Sequence, residues 1–202
     1  MNKILLVIGG PTAVGKTEIA IRLAKKIGTE IISADSRQIY KELNIGTAKP
    51  NIEELSTVKH HFISTHSIHN YYNASMFEIE VLELLNTLFK QYDKVIMVGG
   101  SGLYIDAVCK GIDDLPTIDP EIRKNLTERY KNEGIESLRM EIKRIDPQYY
   151  EKVDLANHKR ILKALEVYYM TGRPFSTFLT SQIKHRNFRI IKVALNRKRD
   201  LL

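Results

Sequence analysis

The sequence has little cysteine and no long apolar run, and both shortages exclude classes of protein. Cys109 is the only cysteine in 202 residues, so an internal disulfide framework is excluded and a reducing cytoplasm is favoured. A lone cysteine in an apolar stretch is expected to be a core residue. No run of about 18 apolar residues could span a bilayer. The start, Met1–Ile8, leads into Gly9 rather than a cleavage site, so it does not predict a signal peptide. We therefore expect a cytoplasmic protein without a membrane partner.

Internal repeats and low-complexity tracts are also absent, and the charge is unevenly distributed. Residues 1–118 contain 12 Lys/Arg and 13 Asp/Glu, whereas residues 119–202 contain 19 and 11. The basic second half has two interpretations. It could consist of solvated helix faces, or it could bind a polyanion larger than a nucleotide.

Apolar runs followed by amphipathic helices predict an α/β fold. We expect a parallel sheet flanked by helices and interrupted by an all-helical insertion. The expected domains are a core at 1–118, continued by 186–202, and a basic helical insertion at 119–185. The predicted strands are Lys3–Ile8, Glu30–Ala34, Lys94–Val98 and Arg189–Leu195.

Two local predictions are less constrained. Phe62–Ile63 could form a short strand. The apolar period over residues 74–91 predicts an amphipathic helix, whose start is either a capping box of Ser75 and Glu78 or an Asn73 cap.

A phosphate-binding loop is the strongest motif in the chain. An apolar strand precedes it and a helix follows it, which is the context that this motif requires. Backbone N–H groups would face phosphate oxygens, Lys16 would reach the terminal phosphates, and the Thr17 hydroxyl could bind Mg²⁺. The loop consists of Gly10, Pro11, Thr12, Ala13, Val14, Gly15, Lys16 and Thr17. With this loop, the expected α/β core is a P-loop NTPase-like parallel sheet.

The acid that most P-loop proteins carry at a strand end is missing from the expected strand. Val95–Val98 ends in Gly99 and Gly100. Asp35, at the end of the second strand, is the acid that lies at the P-loop edge of the sheet. Its carboxylate could bind Mg²⁺, accept a proton from a nucleophile, or be an ordinary turn residue.

Two further features allow weaker inferences. His60 and His61 would point to opposite faces of an extended segment, so we do not predict that they share a zinc ion. Gly99-Gly100-Ser101-Gly102 joins a strand to a helix and could face an anion, although such turns are often glycine-rich for packing alone.

Six motifs in order make the chain resemble the tRNA dimethylallyltransferases, also called tRNA isopentenyltransferases. The resemblance runs from Ile4 to Leu202. The motifs are the P-loop, Asp35-Ser36-Arg37-Gln38-Ile39-Tyr40, Gly46-Thr47-Ala48-Lys49-Pro50, His60-His61, Gly99-Gly100-Ser101-Gly102-Leu103-Tyr104, and Arg160 with Ala164-Leu165-Glu166-Val167.

The resemblance implies transfer of a dimethylallyl group from dimethylallyl diphosphate to N6 of the adenosine 3′ to the tRNA anticodon. The P-loop would then hold a diphosphate leaving group, with Mg²⁺ as cofactor and Thr17 as its ligand. The implied catalytic residues are Asp35 as general base, Lys16 and Ser101. The expected partners are dimethylallyl diphosphate and the tRNA anticodon stem-loop, with the protein a monomer. The implied tRNA-binding residues are Asp35, Ser36, Arg37, Gln38, Ser101, Arg123, Lys159, Arg160, Ile161, Leu162 and Lys163.

Two features depart from the family pattern. Ser64 stands where the family usually has an aspartate, at a position that we expect to be non-catalytic. Family members also continue past Leu202, and Asn196 looks like the cap of a helix that begins at Arg197. We therefore expect the natural protein to be longer, with a further diphosphate-binding arginine.

The sequence allows three alternative functions. The enzyme alternatives are a small-molecule P-loop kinase, with Asp35 as its base, and an adenylate isopentenyltransferase. A basic RNA-binding insertion argues against both. The non-enzyme alternative is an RNA-binding module gated by nucleotide, and Asp35 beside the P-loop argues against it.

Overall fold

The chain folds into two compact units. A computed structural model describes residues 3–180 and 182–197. The first unit comprises Met1–Ile112 with Ile183–Leu202, and the second comprises Asp113–Gln182. Within the described ranges, no helix is both long and apolar enough to cross a membrane.

A five-stranded parallel sheet forms the centre of the first unit. The strands are β1 (Ile4–Gly9), β2 (Ile31–Ser33), β3 (His60–His61), β4 (Lys94–Gly99) and β5 (Arg189–Ala194). Their order is β3-β2-β4-β1-β5, and each neighbouring pair is parallel. The central strands are continuous apolar runs, as expected for strands that are covered on both faces. The predicted α/β fold class is therefore confirmed.

Helices cover both faces of this sheet. The helices are α1 (Lys16–Ile27), α2 (Ile52–Thr57), α3 (Ala74–Gln91) and α4 (Gly102–Lys110). Alternate residues of β4 point to opposite sides: Met97 packs with the buried faces of α3 and α4, and Ile96 packs with α1. Cys109 is buried in α4, as predicted for a core residue.

In this unit one local prediction is wrong, and the structure decides between the two predicted starts of α3. Strand β3 covers His60–His61 rather than Phe62–Ile63, because Phe62 adopts a left-handed φ of 61° that ends the extended conformation. Helix α3 is capped by Asn73 alone, whose side chain accepts hydrogen bonds from Ser75 and Met76 N–H groups. The Glu78 carboxylate does not complete a capping box; it is buried and pairs with Arg186 at 2.7 Å.

The second unit is helical, as predicted. The helices are interrupted at the predicted residues Gly134, Asp146 and Asn157, and each of these residues caps the helix that follows it. Leu138, Ile142, Ile161 and Leu165 are fully buried at its centre. The helices are α5 (Pro120–Glu133), α6 (Ile135–Ile145), α7 (Pro147–Tyr150) and α8 (His158–Thr171), followed by a 3₁₀ turn at Phe175–Phe178.

The positive excess does not lie in this helical unit. Residues 113–182 contain 12 Lys/Arg and 12 Asp/Glu, whereas residues 183–202 contain seven and one. Most of the positive excess of the second half of the sequence therefore lies in β5 and its flanking residues. The helical turn expected after Asn196 falls mainly on residues 198–202, outside the described residues, and Asn196 and Arg197 have no regular secondary structure.

Candidate active site

The P-loop joins β1 to α1 through a backbone with several left-handed residues. Gly10, Ala13 and Gly15 have φ values of 148°, 68° and 93°. A Cβ atom at Gly10 would lie 2.5 Å from the Leu195 carbonyl oxygen, so this position requires glycine. No side chain caps α1, and the N–H groups of its first turn therefore suit an anion.

The ammonium group of Lys16 lies across the loop. Its Nζ donates a hydrogen bond to the Pro11 carbonyl oxygen at 2.6 Å. Burial lowers the pKa of Lys16, and attraction to the Asp35 carboxylate offsets part of that effect. Lys16 and Asp35 are therefore close enough to interact electrostatically.

A cavity of about 320 Å³ opens at the carboxyl edge of the sheet, as expected for ligand sites in such folds. The P-loop, the ends of β2 and β4, and the loop before α2 form its walls. It unites several residues that the sequence singled out: Thr12, Ala13, Gly15, Lys16, Thr17, Asp35, Arg37 and Gln38.

Asp35 lies two residues after the end of β2, and its carboxylate is held in one orientation. Oδ1 accepts hydrogen bonds from the backbone N–H groups of Arg37 at 2.9 Å and Gln38 at 3.2 Å. Within residues 3–180 and 182–197, the other oxygen, Oδ2, has no hydrogen-bond partner. The residue thus combines a turn-forming oxygen with a second oxygen that can act on a ligand.

The Gln38 side chain links two walls of the cavity through hydrogen bonds. Its amide oxygen accepts a hydrogen bond from the Ser33 hydroxyl, and its amide nitrogen donates to the carbonyl oxygens of Thr47 and Ala48 at 3.1 and 2.9 Å. The side chain therefore ties the end of β2 to the loop before α2. This is an architectural role that the motif did not indicate.

Ser101 lies beside the same strand end but does not line the cavity. Its Oγ accepts a hydrogen bond from the Ser36 N–H at 2.8 Å and donates to the Ser36 hydroxyl at 3.1 Å. A Cβ atom at Gly99 would lie 2.1 Å from the Ala34 carbonyl oxygen, so the glycine permits this close approach.

His60 lines the cavity and has a ring nitrogen that can accept a hydrogen bond, which the sequence did not indicate. Its Nδ1 lies 2.8 Å from the Val58 carbonyl oxygen and must donate, which leaves Nε2 as an acceptor. That atom is buried without a hydrogen-bond partner in the described part of the chain, and burial lowers the pKa of His60. His61 contacts Glu30 instead, with Nε2 and Oε2 2.5 Å apart.

The remaining sequence-predicted residues lie in the second unit. Arg123 makes a two-point ion pair with the buried Glu166 at 2.9 and 3.1 Å. Lys159 and Arg160 are exposed on the first turn of α8, and Lys163 is half-buried. Leu162 is half-buried and Ile161 fully buried, so the Ile161 side chain belongs to the helical core.

The oxygen donors in the cavity fit a magnesium ion. Thr17 and Asp35 both line it and offer a hydroxyl and a carboxylate, the hard ligands that Mg²⁺ takes alongside phosphate oxygens. Among the described residues no group of three or more His, Cys, Asp or Glu could hold a metal by itself. A metal here would complete its coordination with oxygens of the bound ligand and of water.

Comparison with known proteins places these features in a family. Residues 38–202 match the family model described as IPP transferase. "tRNA dimethylallyltransferase 2" of Parabacteroides distasonis is 51% identical over 202 residues, 100% of this chain and 67% of that protein. The protein of the same name from Azobacteroides pseudotrichonymphae is 52% identical over 98% of this chain and 64% of its own length. This chain thus spans about two thirds of these relatives.

Comparison with solved structures leads to the same family. A eukaryotic dimethylallyltransferase described as acting on tRNA superimposes with a TM-score of 0.78 and 26% identity, over 98% of this chain and 49% of that one. The tRNA isopentenylpyrophosphate transferase of Bacillus halodurans gives a TM-score of 0.53 and 33% identity, over 87% and 58%. With family model, sequence relatives and folds in agreement, this chain belongs to the IPP transferase family.

Proposed function

We propose that this protein transfers a dimethylallyl group from dimethylallyl diphosphate to N6 of the adenosine 3′ to the anticodon in tRNA. One observation carries the proposal: the Asp35 carboxylate and the P-loop share a cavity, while β4 ends in Gly99 without an acid. A carboxylate beside a diphosphate site suits an attack on carbon, in which a proton leaves the nucleophile and a diphosphate leaves the donor.

The P-loop is the proposed binding site of the leaving group. As the bond between C1 of the prenyl group and its oxygen breaks, negative charge grows on the diphosphate. Lys16 and the N–H groups at the start of α1 stabilise that charge. Mg²⁺, held by the Thr17 hydroxyl together with diphosphate oxygens, would supply further positive charge.

Asp35 is the proposed general base. The exocyclic amine of adenine is a weak nucleophile, so its attack on C1 is assisted when a carboxylate accepts one of its protons. The hydrogen bonds from Arg37 and Gln38 hold Oδ1, which leaves Oδ2 for this proton. Ser101 supports the step by fixing Ser36, the next residue along.

The start of α8 is the proposed contact with the tRNA backbone, together with Arg123. Lys159 and Arg160 stand where the helix dipole is positive, and no acidic residue offsets them in the first turn. That arrangement is unfavourable for the helix itself but suits a phosphate, because the dipole and the side chains attract it together. Since the acceptor is tRNA, the proposal places the reaction in the cytoplasm. A single copy of the chain supplies every group named.

The test offers labelled dimethylallyl diphosphate to the protein with three acceptors in parallel: unmodified tRNA, the same tRNA with guanosine at the 3′-adjacent position, and free AMP. The Parabacteroides distasonis relative, assayed alongside, shows whether the substrates are competent. We expect label at N6 of the unmodified tRNA only. Transfer to AMP, or ATP-dependent phosphorylation of a small molecule, would contradict the proposal. So would a relative that transfers label while this chain does not.

A further inference from the structure

The chain segment that follows β5 lies directly against the P-loop. Strands β1 and β5 run parallel, with Gly9 opposite Ala194. The Leu195 N–H continues this pairing by donating to the Gly9 carbonyl oxygen at 2.8 Å. Residues 195–197 therefore leave the sheet at the edge where the P-loop begins.

Close backbone packing fixes this segment. The Leu195 carbonyl oxygen occupies the space that a side chain at Gly10 would need, since a Cβ atom there would lie only 2.5 Å from it. The strand pairing and this contact set the position of the backbone two residues before Arg197. Contacts with Gly9 and Gly10 therefore determine where the backbone that carries Arg197 leaves the sheet.

The Arg197 guanidinium reaches the N-terminal end of α1. Its Nη2 lies 3.8 Å from the point where a Cβ atom of Gly15 would stand, and Gly15 is the residue that caps this helix. Arg197 is exposed, and it makes no hydrogen bond or ion pair within residues 3–180 and 182–197. Its donors are thus available to a ligand that sits on the loop.

We propose that Arg197 is a diphosphate-binding residue that acts together with Lys16. This inference rests on the proposed function only in taking the P-loop ligand to be a diphosphate. A guanidinium offers two parallel N–H groups that match two phosphate oxygens, whereas the ammonium of Lys16 acts as a point charge. Arg197 would bind the outer side of the diphosphate and stabilise its charge on departure.

The test measures binding of inorganic pyrophosphate, with Mg²⁺ present, by titration calorimetry. Arg197→Ala should raise the Kd about tenfold, as expected for loss of a charge-assisted contact at an exposed site. Arg197→Lys should give an intermediate Kd. The matched control is Arg189→Ala, which removes the same charge at the other end of β5, where Arg189 lies opposite Ile4. It should leave the Kd unchanged.

The outcomes separate this inference from the proposed function. If the unaltered chain binds pyrophosphate and Arg197→Ala binds it equally well, the role of Arg197 is wrong while the diphosphate site stands. Equal losses in the Arg197 and Arg189 variants would also overturn it, because they would reflect net charge rather than contact. If the unaltered chain binds no pyrophosphate, the diphosphate assignment of the P-loop fails, and the role of Arg197 fails with it.

Discussion

The Ser101 hydroxyl oxygen lies 2.8 Å from the Ser36 backbone nitrogen and accepts its hydrogen bond. This contact joins the turn after β4 to the turn after β2, immediately beside Asp35. The Ala34 carbonyl oxygen accepts a second hydrogen bond from the Ser101 N–H at 3.3 Å. The residue proposed as general base is thus positioned by the neighbouring strand rather than by its own turn alone.

Replacement of Ser101 by alanine should slow prenyl transfer by about tenfold, because small displacements of a catalytic group reduce rates strongly. Loss of the hydrogen bond should also lower the free energy of unfolding by about 1 kcal/mol. Ser101→Thr keeps the hydroxyl and should retain most of the rate. Single-turnover transfer to tRNA measures the effect, and a full rate in the alanine variant would refute the positioning role.

Ser64 has a structural role as a hydrogen-bond acceptor for Lys49. Lys49 donates hydrogen bonds to the Tyr40 carbonyl oxygen, to Asn44 and to the Ser64 hydroxyl, the last at 2.9 Å. Burial is the main cause that lowers the pKa of Lys49. Ser64 has a φ of 52° and does not line the cavity.

Ser64→Asp should stabilise the protein by about 0.5–1 kcal/mol at pH 7, since aspartate tolerates the left-handed region and would pair with Lys49. Ser64→Asn is the control, because it provides the same backbone tolerance without the charge. Urea unfolding followed by circular dichroism measures both. The advantage of aspartate over asparagine should disappear in acid, where the carboxylate is protonated. A lower midpoint for the aspartate variant at pH 7 would contradict the prediction.

The charges at the start of α8 give a prediction in which binding and stability respond differently. Lys159→Ala with Arg160→Ala should weaken tRNA binding and reduce its salt slope by about two. Stability should stay equal or rise slightly, because cations at a helix N-terminus are unfavourable. Lys131→Ala with Lys152→Ala removes the same charge from other exposed sites and is the control. An unchanged salt slope in the α8 variant would show that these charges are merely solvated.

The lowered pKa of Lys16 gives pyrophosphate binding a pH dependence. The protonated ammonium binds the anion, so affinity should fall as pH rises through this pKa, which lies below the ordinary 10.5. Lys16→Arg stays protonated throughout and should lack this fall. Calorimetric titrations at several pH values between 7 and 10 compare the two proteins, and their ratio cancels the ionisation of pyrophosphate itself. Parallel pH profiles would contradict the role of Lys16.

Sequence patterns predicted most of the fold because they are local. The apolar runs of β1 and β4 and the period of α3 each fix an element within a few residues. The errors came from conformations that no pattern displays. Phe62 ends β3 because its φ is left-handed. The Glu78 carboxylate accepts a hydrogen bond from Arg186, 108 residues away, instead of capping the start of α3.

Some features of the candidate site could likewise be predicted from the sequence, and others could not. The shared cavity of Asp35 and the P-loop followed from the rule that parallel strands end at one edge. Contacts between distant segments could not be predicted, and these include the bond from Ser101 to Ser36, the Gln38 link to Ala48 and the approach of Arg197 to Gly15. The packing of the elements decides which glycine lies against another backbone segment and which arginine could face a ligand. No local sequence pattern shows this packing.

Asp35→Asn provides the most direct test, measured as single-turnover transfer to tRNA alongside pyrophosphate affinity. Asparagine keeps an Oδ1 that can accept from the Arg37 and Gln38 N–H groups, so the turn should persist. We expect transfer to fall by at least about a hundredfold, the usual contribution of a general base, while pyrophosphate affinity and stability are unchanged. Transfer at a near-normal rate would contradict Asp35 as the base and, with it, the reaction proposed for this cavity.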